Sequence, residues 1–473
     1  MSNKTVNTIN ARLQLREPQA ESLKILSRVT DIIKLSKEEN IITSLKIIAN
    51  EYPTVTDFEH EFPSLCFEIA TGVGKTRLMG AFITYLHLEH NVKNFFVLAP
   101  NLTIYRKLIA DFTPNTPKYV LRGIEAFAIN SPLIITGDDY EHKAASHGDM
   151  YDKSSIAINI FNISKINSEV RGGKAPRIKR LSEYIGQSYF EYLSKLDDLI
   201  LIMDESHRYR ASAGMKALNE LKPVLGLELT ATPFAETNKG VVFFKNIIYK
   251  YKLAKAMEDG FVKEPCVVTQ KNFNPLKFTA EQLEDIKLED GIKLHENTKV
   301  ELFTYANQNR LKPVKPFILI IASDTTHAAE LQNKIESECF FNGAYKGKVI
   351  QIHSGQSGEE KEENVERLLA VEKYDELTEI VVHVNMLKEG WDVTNLYTII
   401  PLRTAKARNL VEQSIGRGLR LPYGKRTGNT AVDRLSIVAH DRFQEIVDEA
   451  RRSDSSFNIL IFSKVLASDI IIL

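Results

Sequence analysis

Cysteine is scarce in this chain: Cys66, Cys266 and Cys339 are the only three in 473 residues. Their odd number, wide separation and lack of metal-type spacing exclude a disulfide framework and a cysteine zinc site, and fit incidental thiols in a reducing interior. Net charge is absent too, with 61 basic side chains against 61 acidic ones. That rules out a uniformly basic coat for nucleic acid but leaves room for a local basic groove, because a field depends on where charges lie. No apolar run approaches a membrane span, and the amino terminus, MSNKTVNTINARLQLREPQ, is too polar for a secretory signal. The expectation is a cytoplasmic protein with no membrane partner. Short-period repeats and low-complexity tracts are missing, and Trp391 is the single tryptophan. What remains, 43% hydrophobic and 26% charged residues, is globular, and the length suits about three units or two large ones.

Short apolar strands alternate with helical stretches through the first 250 residues: 65–69, 95–99, 133–136, 156–160, 199–203 and 226–229. A second series follows at 317–321, 348–352, 379–384 and 397–400. Such alternation predicts two tandem α/β lobes with parallel sheets, each with its ligand loops at the carboxyl ends of the strands. The lobes are expected over 1–250 and 251–430, with a C-terminal extension over 431–473. The polar, acidic stretch from Lys271 to Val314 reads as a helical insertion between them.

The chemistry-bearing clusters fall at strand ends. Ala70-Thr71-Gly72-Val73-Gly74-Lys75-Thr76 follows the first strand, an arrangement that points backbone N–H groups and a helix N-terminus at phosphate oxygens, with a lysine for the outer phosphates and a threonine for Mg²⁺. The strict phosphate loop would have glycine at Ile69, so a glycine turn beside a surface lysine stays open. Asp204-Glu205-Ser206-His207 ends another strand; one carboxylate can serve a metal and the other the attacking water, although an acidic helix cap would look the same. Thr230-Ala231-Thr232-Pro233 is either a tight loop bonding to that acidic pair or an ordinary turn. In the second series, Lys388-Glu389-Gly390-Trp391-Asp392-Val393 offers a glycine turn, and Gln413-Ser414-Ile415-Gly416-Arg417-Gly418-Leu419-Arg420 offers arginines that could close an ATP site split between lobes, or merely solvate a face.

This ordered set, ATGVGKT, DESH, TATP, KEGWDV and QSIGRGLR, resembles superfamily 2 helicases and translocases of the DEAD/DEAH type. More narrowly the chain is similar to the restriction (Res) subunit of type III restriction-modification systems, through LREPQAESL, VLAPNLTIYRKL, TGDDYEH, INIFNISKIN, YKLAKAMEDGFVKEP and SIVAHDRFQEIVDEA, which span Leu15 to Ala450. The resemblance implies two RecA-like lobes with an ATP cleft between them. It implies that Gly72, Gly74, Lys75 and Thr76 hold phosphates and Mg²⁺, that Asp204 organises the metal and Glu205 the water, and that Gln19 reads adenine. Gln413, Arg417 and Arg420 would face the γ-phosphate. Asn101, Thr103, Asn162, Ser164, Lys165, Ser323 and Thr325 would contact nucleic acid, chiefly its phosphates. The basic run Arg171 to Arg180 is as readily a solvated loop.

The implied partners are duplex DNA and a methylation (Mod) subunit carrying the sequence recognition. An RNA helicase of the same superfamily and a nucleotide-sensing module without turnover remain alternatives. Type III Res subunits carry a PD-(D/E)XK nuclease after the motor, and this sequence ends 53 residues beyond Arg420 with the apolar run Asp469 to Leu473, so the expectation is a motor without its nuclease. Asp441, Glu445, Asp448 and Glu449 recur at helical spacing and read as the wet face of an amphipathic helix rather than a metal cluster.

Overall fold

A computed structural model describes residues 2–141, 143, 156–163, 177–180, 187–210, 212–237, 240–270, 273–353, 358–384, 393–402 and 418–440. The chain parts into two compact units, the first comprising Met1–Ala70 and Gly74–Lys252 and the second Thr71–Val73 and the chain from Leu253 onward.

The first unit is organised by a seven-stranded parallel sheet of order β3-β4-β2-β5-β6-β1-β9. Its strands are β1 (Ser64–Ile69), β2 (Asn94–Ala99), β3 (Leu133–Thr136), β4 (Ala157–Asn162), β5 (Leu199–Asp204), β6 (Leu225–Thr230) and β9 (Ile247–Tyr251). Continuous apolar runs such as Leu199 to Met203 suit strands covered on both faces, and β1, β4, β5 and β6 are buried throughout. One face carries a core of Phe96, Leu98, Phe161, Tyr189, Leu201, Met203 and Leu218. Helix α4 (Lys75–His90) leaves β1 through the glycine loop and sets Phe82 against Phe67 of β1, ring centroids 5.0 Å apart. Helices α1 (Ser2–Leu13) and α2 (Glu17–Ile32) pack on α4. After β6 a two-stranded antiparallel hairpin, β7 (Phe234–Thr237) with β8 (Gly240–Phe243), precedes β9.

The strand order decides where the motifs meet. β1, β6 and β5 are neighbours, so the glycine loop, TATP and DESH leave three adjacent strands at the same sheet edge. The chain crosses from β1 over two strand positions to β2, the kind of switch point where ligand crevices open in parallel sheets.

The second unit has a six-stranded parallel sheet of order β10-β15-β14-β11-β13-β12. The strands are β10 (Glu264–Val268), β11 (Phe317–Ile321), β12 (Val349–Ile352), β13 (Ile380–His383), β14 (Leu396–Pro401) and β15 (Arg434–Val438). Two expectations are corrected here. The polar stretch after Lys271 is not an insertion between lobes: its 30-residue helix Ala280–Asn309 lies on this unit's sheet, burying Leu288, Ile292, His295, Leu302 and Ala306 as one narrow stripe. Contact is so close at Gly291 that a Cβ there would sit 2.2 Å from Ile400 Cδ1. The region beginning at 431 is not all an extension, since β15 lies between β10 and β14. Residues 441–473, including the acidic positions of the expected tail helix, are outside the described residues.

Candidate active site

Lys75 opens α4 directly after the glycine loop, and its Nζ lies 2.7 Å from Glu205 Oε1 at the end of β5. Gly72 and Gly74 take positive φ, 83° and 103°. Gly74 is required twice over, because a Cβ there would also stand 2.6 Å from Gln19 Nε2. Gln19 is buried, not solvated. It donates from Nε2 to the Gly74 carbonyl at 2.8 Å and accepts at Oε1 from the Arg16 amide at 2.8 Å, which joins the start of α2 to the glycine loop. Thr76 is the second residue of α4 and half-buried.

The acidic pair is asymmetric. Asp204, last residue of β5, is 8% exposed, and its Oδ1 is buried without a hydrogen-bond partner. Burial, then the neighbouring Glu205 carboxylate, pushes its pKa up to about 6. Glu205 is pulled the other way: burial opposes its charge, but Lys75 and the His207 ring outweigh that and hold it below the usual carboxylate range. Glu205 also sits at φ 50°, left-handed backbone that is costly for a non-glycine residue.

His207 Nδ1 is 2.9 Å from Thr230 Oγ1 and 3.2 Å from Thr232 Oγ1, so DESH and TATP are bonded to each other and the ordinary-turn reading of TATP falls. Burial lowers the imidazole pKa. Tyr209, buried behind the turn, donates to the Asp204 carbonyl at 2.8 Å. The acidic-cap alternative also fails for Asp204, a strand residue followed by a short 3-10 turn, Ser206–Tyr209, that its side chain does not cap.

The other sequence-predicted residues divide. Asn101 caps the helix Leu102–Phe112 by accepting from the Ile104 amide at 3.0 Å, with Thr103 in its first turn. Asn162 ends β4 and is 2% exposed. β4 and β2 are neighbours, so Asn162 at the end of β4 and Asn101 just after β2 lie at the ends of adjacent strands. The signatures VLAPNLTIYRKL and TGDDYEH meet where Tyr105 donates to Asp138 at 2.9 Å. In the second unit Ser323 and Thr325 are exposed at the start of the helix Thr325–Ile335, where Asp324 is the cap and Ser323 Oγ lies 2.8 Å from His327 Nδ1. Ser164, Lys165, Gln413, Arg417, Trp391 and Asp392 lie outside the described residues. Arg420 is half-buried; nearby Gly418 packs where a Cβ would meet Leu396 and Leu435 at 3.0 Å. Lys263, fully buried, donates to the Thr394 and Leu396 carbonyls at 2.6 and 2.8 Å and so fixes the chain just past KEGWDV. In the basic run, Lys179 pairs with Glu220. Cys66 and Cys266 are buried free thiols and Cys339 an exposed one. Among the described residues no helix is long and apolar enough to cross a membrane.

Tandem parallel α/β lobes, the first bringing a glycine-loop lysine to a strand-end carboxylate and a buried glutamine to the same loop, define the class: a protein of two RecA-like lobes. The family described as "Type III restriction enzyme, res subunit" matches residues 12–235, just under half of the chain. One curated relative is "Putative ATP-dependent helicase IRC3" of Saccharomyces cerevisiae, 25% identical over 238 residues, 48% of this chain. The match spans only 32% of that relative. Among solved structures, "ATP-dependent Type ISP restriction-modification enzyme LlaBIII bound to DNA" superposes with TM-score 0.46 at 16% identity, covering 83% of this chain and 27% of that one. "S. cerevisiae Dbp5 bound to RNA and ADP BeF3" gives TM-score 0.45 at 12% identity, covering 95% and 93%.

Proposed function

We propose that this chain is an ATP-hydrolysing motor that moves along duplex DNA, the motor part of a type III restriction Res subunit acting with a Mod subunit. The observation that carries the hydrolytic reading is the Lys75–Glu205 contact at the junction of the glycine loop and DESH. Without nucleotide the lysine neutralises the carboxylate. Triphosphate oxygens compete for Lys75, and its departure leaves Glu205 free to orient and deprotonate water. Binding and activation of the base are then one event.

The residues present fit Mg²⁺: Asp204 Oδ1 is an orphaned buried carboxylate oxygen, and Thr76 offers a hydroxyl in the first turn of the helix that leaves the glycine loop. These two would hold the ion, which when bound neutralises charge on phosphate oxygens. Gln19, on the Gly74 carbonyl, would report adenine occupancy to the loop. Asn101, Thr103, Ser323 and Thr325, each just past a strand's carboxyl end, and Asn162, the last residue of β4, are the proposed phosphate-backbone contacts, with Ser164 and Lys165 added from sequence. Arg417, Arg420 and Gln413 are γ-phosphate contacts proposed from the sequence alone.

ATP turnover measured side by side with duplex DNA, single-stranded DNA and RNA tests this. Stimulation by duplex DNA supports the reading. Stimulation by RNA alone would make the chain an RNA helicase, and nucleotide binding without turnover on any of the three would make it a sensing module.

A further inference from the structure

Behind DESH, away from the residues assigned to nucleotide, several chain segments converge on one buried ion pair, Arg210 with Glu228. Arg210 directly follows the 3-10 turn Ser206–Tyr209. Its NH2 lies 2.6 Å from Glu228 Oε2 in the middle of β6, and its NH1 lies 3.0 Å from Glu59 Oε2. The guanidinium stacks 3.8 Å over the Phe244 ring. Glu228 is wholly buried and also accepts from Ser64 Oγ of β1 at 2.8 Å and Asn246 Nδ2 at 2.6 Å, with His60 Nε2 at 3.4 Å. Burial opposes its charge, yet Arg210 and the donors around it hold its pKa far below the usual carboxylate range. The carboxylate therefore stays ionised inside the protein.

Stability alone does not call for this arrangement. A buried ion pair usually contributes no more than apolar side chains of the same volume, because desolvating two charges consumes the attraction between them. What such a pair supplies is a fixed geometry, and the geometry here has a user. Glu205 stands five residues before Arg210 in left-handed backbone, a conformation that persists only where its surroundings over-determine it. The turn is held from behind by Tyr209 on the Asp204 carbonyl and from the side by His207 on Thr230. Thr230 is two residues beyond Glu228 on β6, so the Arg210–Glu228 pair sets the spacing across which His207 meets Thr230. The same guanidinium reaches past TATP: Phe244 beneath it donates its amide to the Pro233 carbonyl at 3.0 Å.

We infer that Arg210, through its buried pair with Glu228, is a positioning residue that holds the strained Glu205 turn in register with TATP. It touches no reactant and acts only through where it places Glu205 and His207. This rests on the hydrolytic reading of the site given above.

The test compares the wild type with Arg210→Met, Arg210→Lys and the double variant Arg210→Met/Glu228→Gln, which removes both charges and keeps an amide oxygen for Ser64 and Asn246. ATP turnover, nucleotide affinity by fluorescent-analogue titration and urea midpoint are read for each. Expected is a fall in kcat on the order of 10- to 10²-fold in Arg210→Met, since small misplacements of catalytic groups have effects of that size, with nucleotide Kd changed less than about threefold. Arg210→Lys should regain part of kcat. The double variant should regain the urea midpoint but not kcat, so a fold made unstable by Arg210→Met alone does not obscure the result. A double variant turning over ATP within twofold of wild type, or loss of kcat and affinity in equal measure, would overturn the inference. A wild type that binds ATP and never hydrolyses it would instead remove the hydrolytic reading beneath it.

Discussion

Replacing Asp204 by asparagine should make the protein more stable while disabling it, and the gain should depend on pH. The Asp204 carboxyl is pushed up to about 6 by burial and by Glu205. An unfolded aspartate titrates near about 3.9. The folded state therefore binds this proton more tightly than the unfolded one, so the group's contribution to stability is fully present below about pH 4 and is lost as pH rises through 6. Two pKa units at about 1.4 kcal/mol each put the cost of the ionised carboxylate at about 3 kcal/mol by pH 8. Asparagine has no charge to bury and escapes that cost. Urea unfolding of the two proteins with a chelator present, followed by far-UV circular dichroism at pH 4, 6 and 8, should show equal midpoints at pH 4 and an increasing advantage for Asp204→Asn toward pH 8. Adding Mg²⁺ at pH 8 should narrow the gap by stabilising only the wild type, since a ligand bound by the folded state alone shifts stability by mass action. A gap that does not change with pH, or a variant less stable at pH 8, would refute the argument.

Lys75→Ala leaves Glu205 without its cation and should lower stability by about 1–3 kcal/mol as well as abolish turnover, read by urea midpoint and phosphate release. Glu205→Gln should also abolish turnover but bind ATP at least as tightly as wild type, because Lys75 is then released for the phosphates; nucleotide titration separates the two variants. Gly74→Ala must accept φ 103° and a Cβ 2.6 Å from Gln19 Nε2, at a cost of about 1–3 kcal/mol, and should weaken nucleotide binding more than it slows turnover of bound ATP. Gly291→Ala should destabilise the second lobe by about 1–3 kcal/mol through overpacking on Ile400, and Ile400→Ala in the same chain should recover part of that, measured by denaturation.

Patterns local in the chain are legible in the amino-acid order itself. The phosphate-loop signature between a strand and a helix, and the DESH carboxylates at a strand end, need only neighbours in sequence, and the apolar runs of the central strands follow from burial on both faces of a sheet. The strands that such runs do not reveal, among them β9, β10 and β15, carry Lys250, Glu264 and Arg434 among their apolar residues, so the pattern is broken. The helix Ala280–Asn309 reads as lying outside the lobe for a similar reason: its buried stripe is too narrow to stand out from its polar composition. What tertiary structure alone decided is which distant groups neutralise one another. Nothing in the spacing of Lys75 and Glu205, or of Gln19 and Gly74, states that they touch; that follows from β1, β6 and β5 being neighbours and from α2 packing on α4. Glu228 does leave a sign, a charge in the middle of an apolar strand, but its partner Arg210 is found only where folding removes water from both and makes each the least costly neighbour for the other.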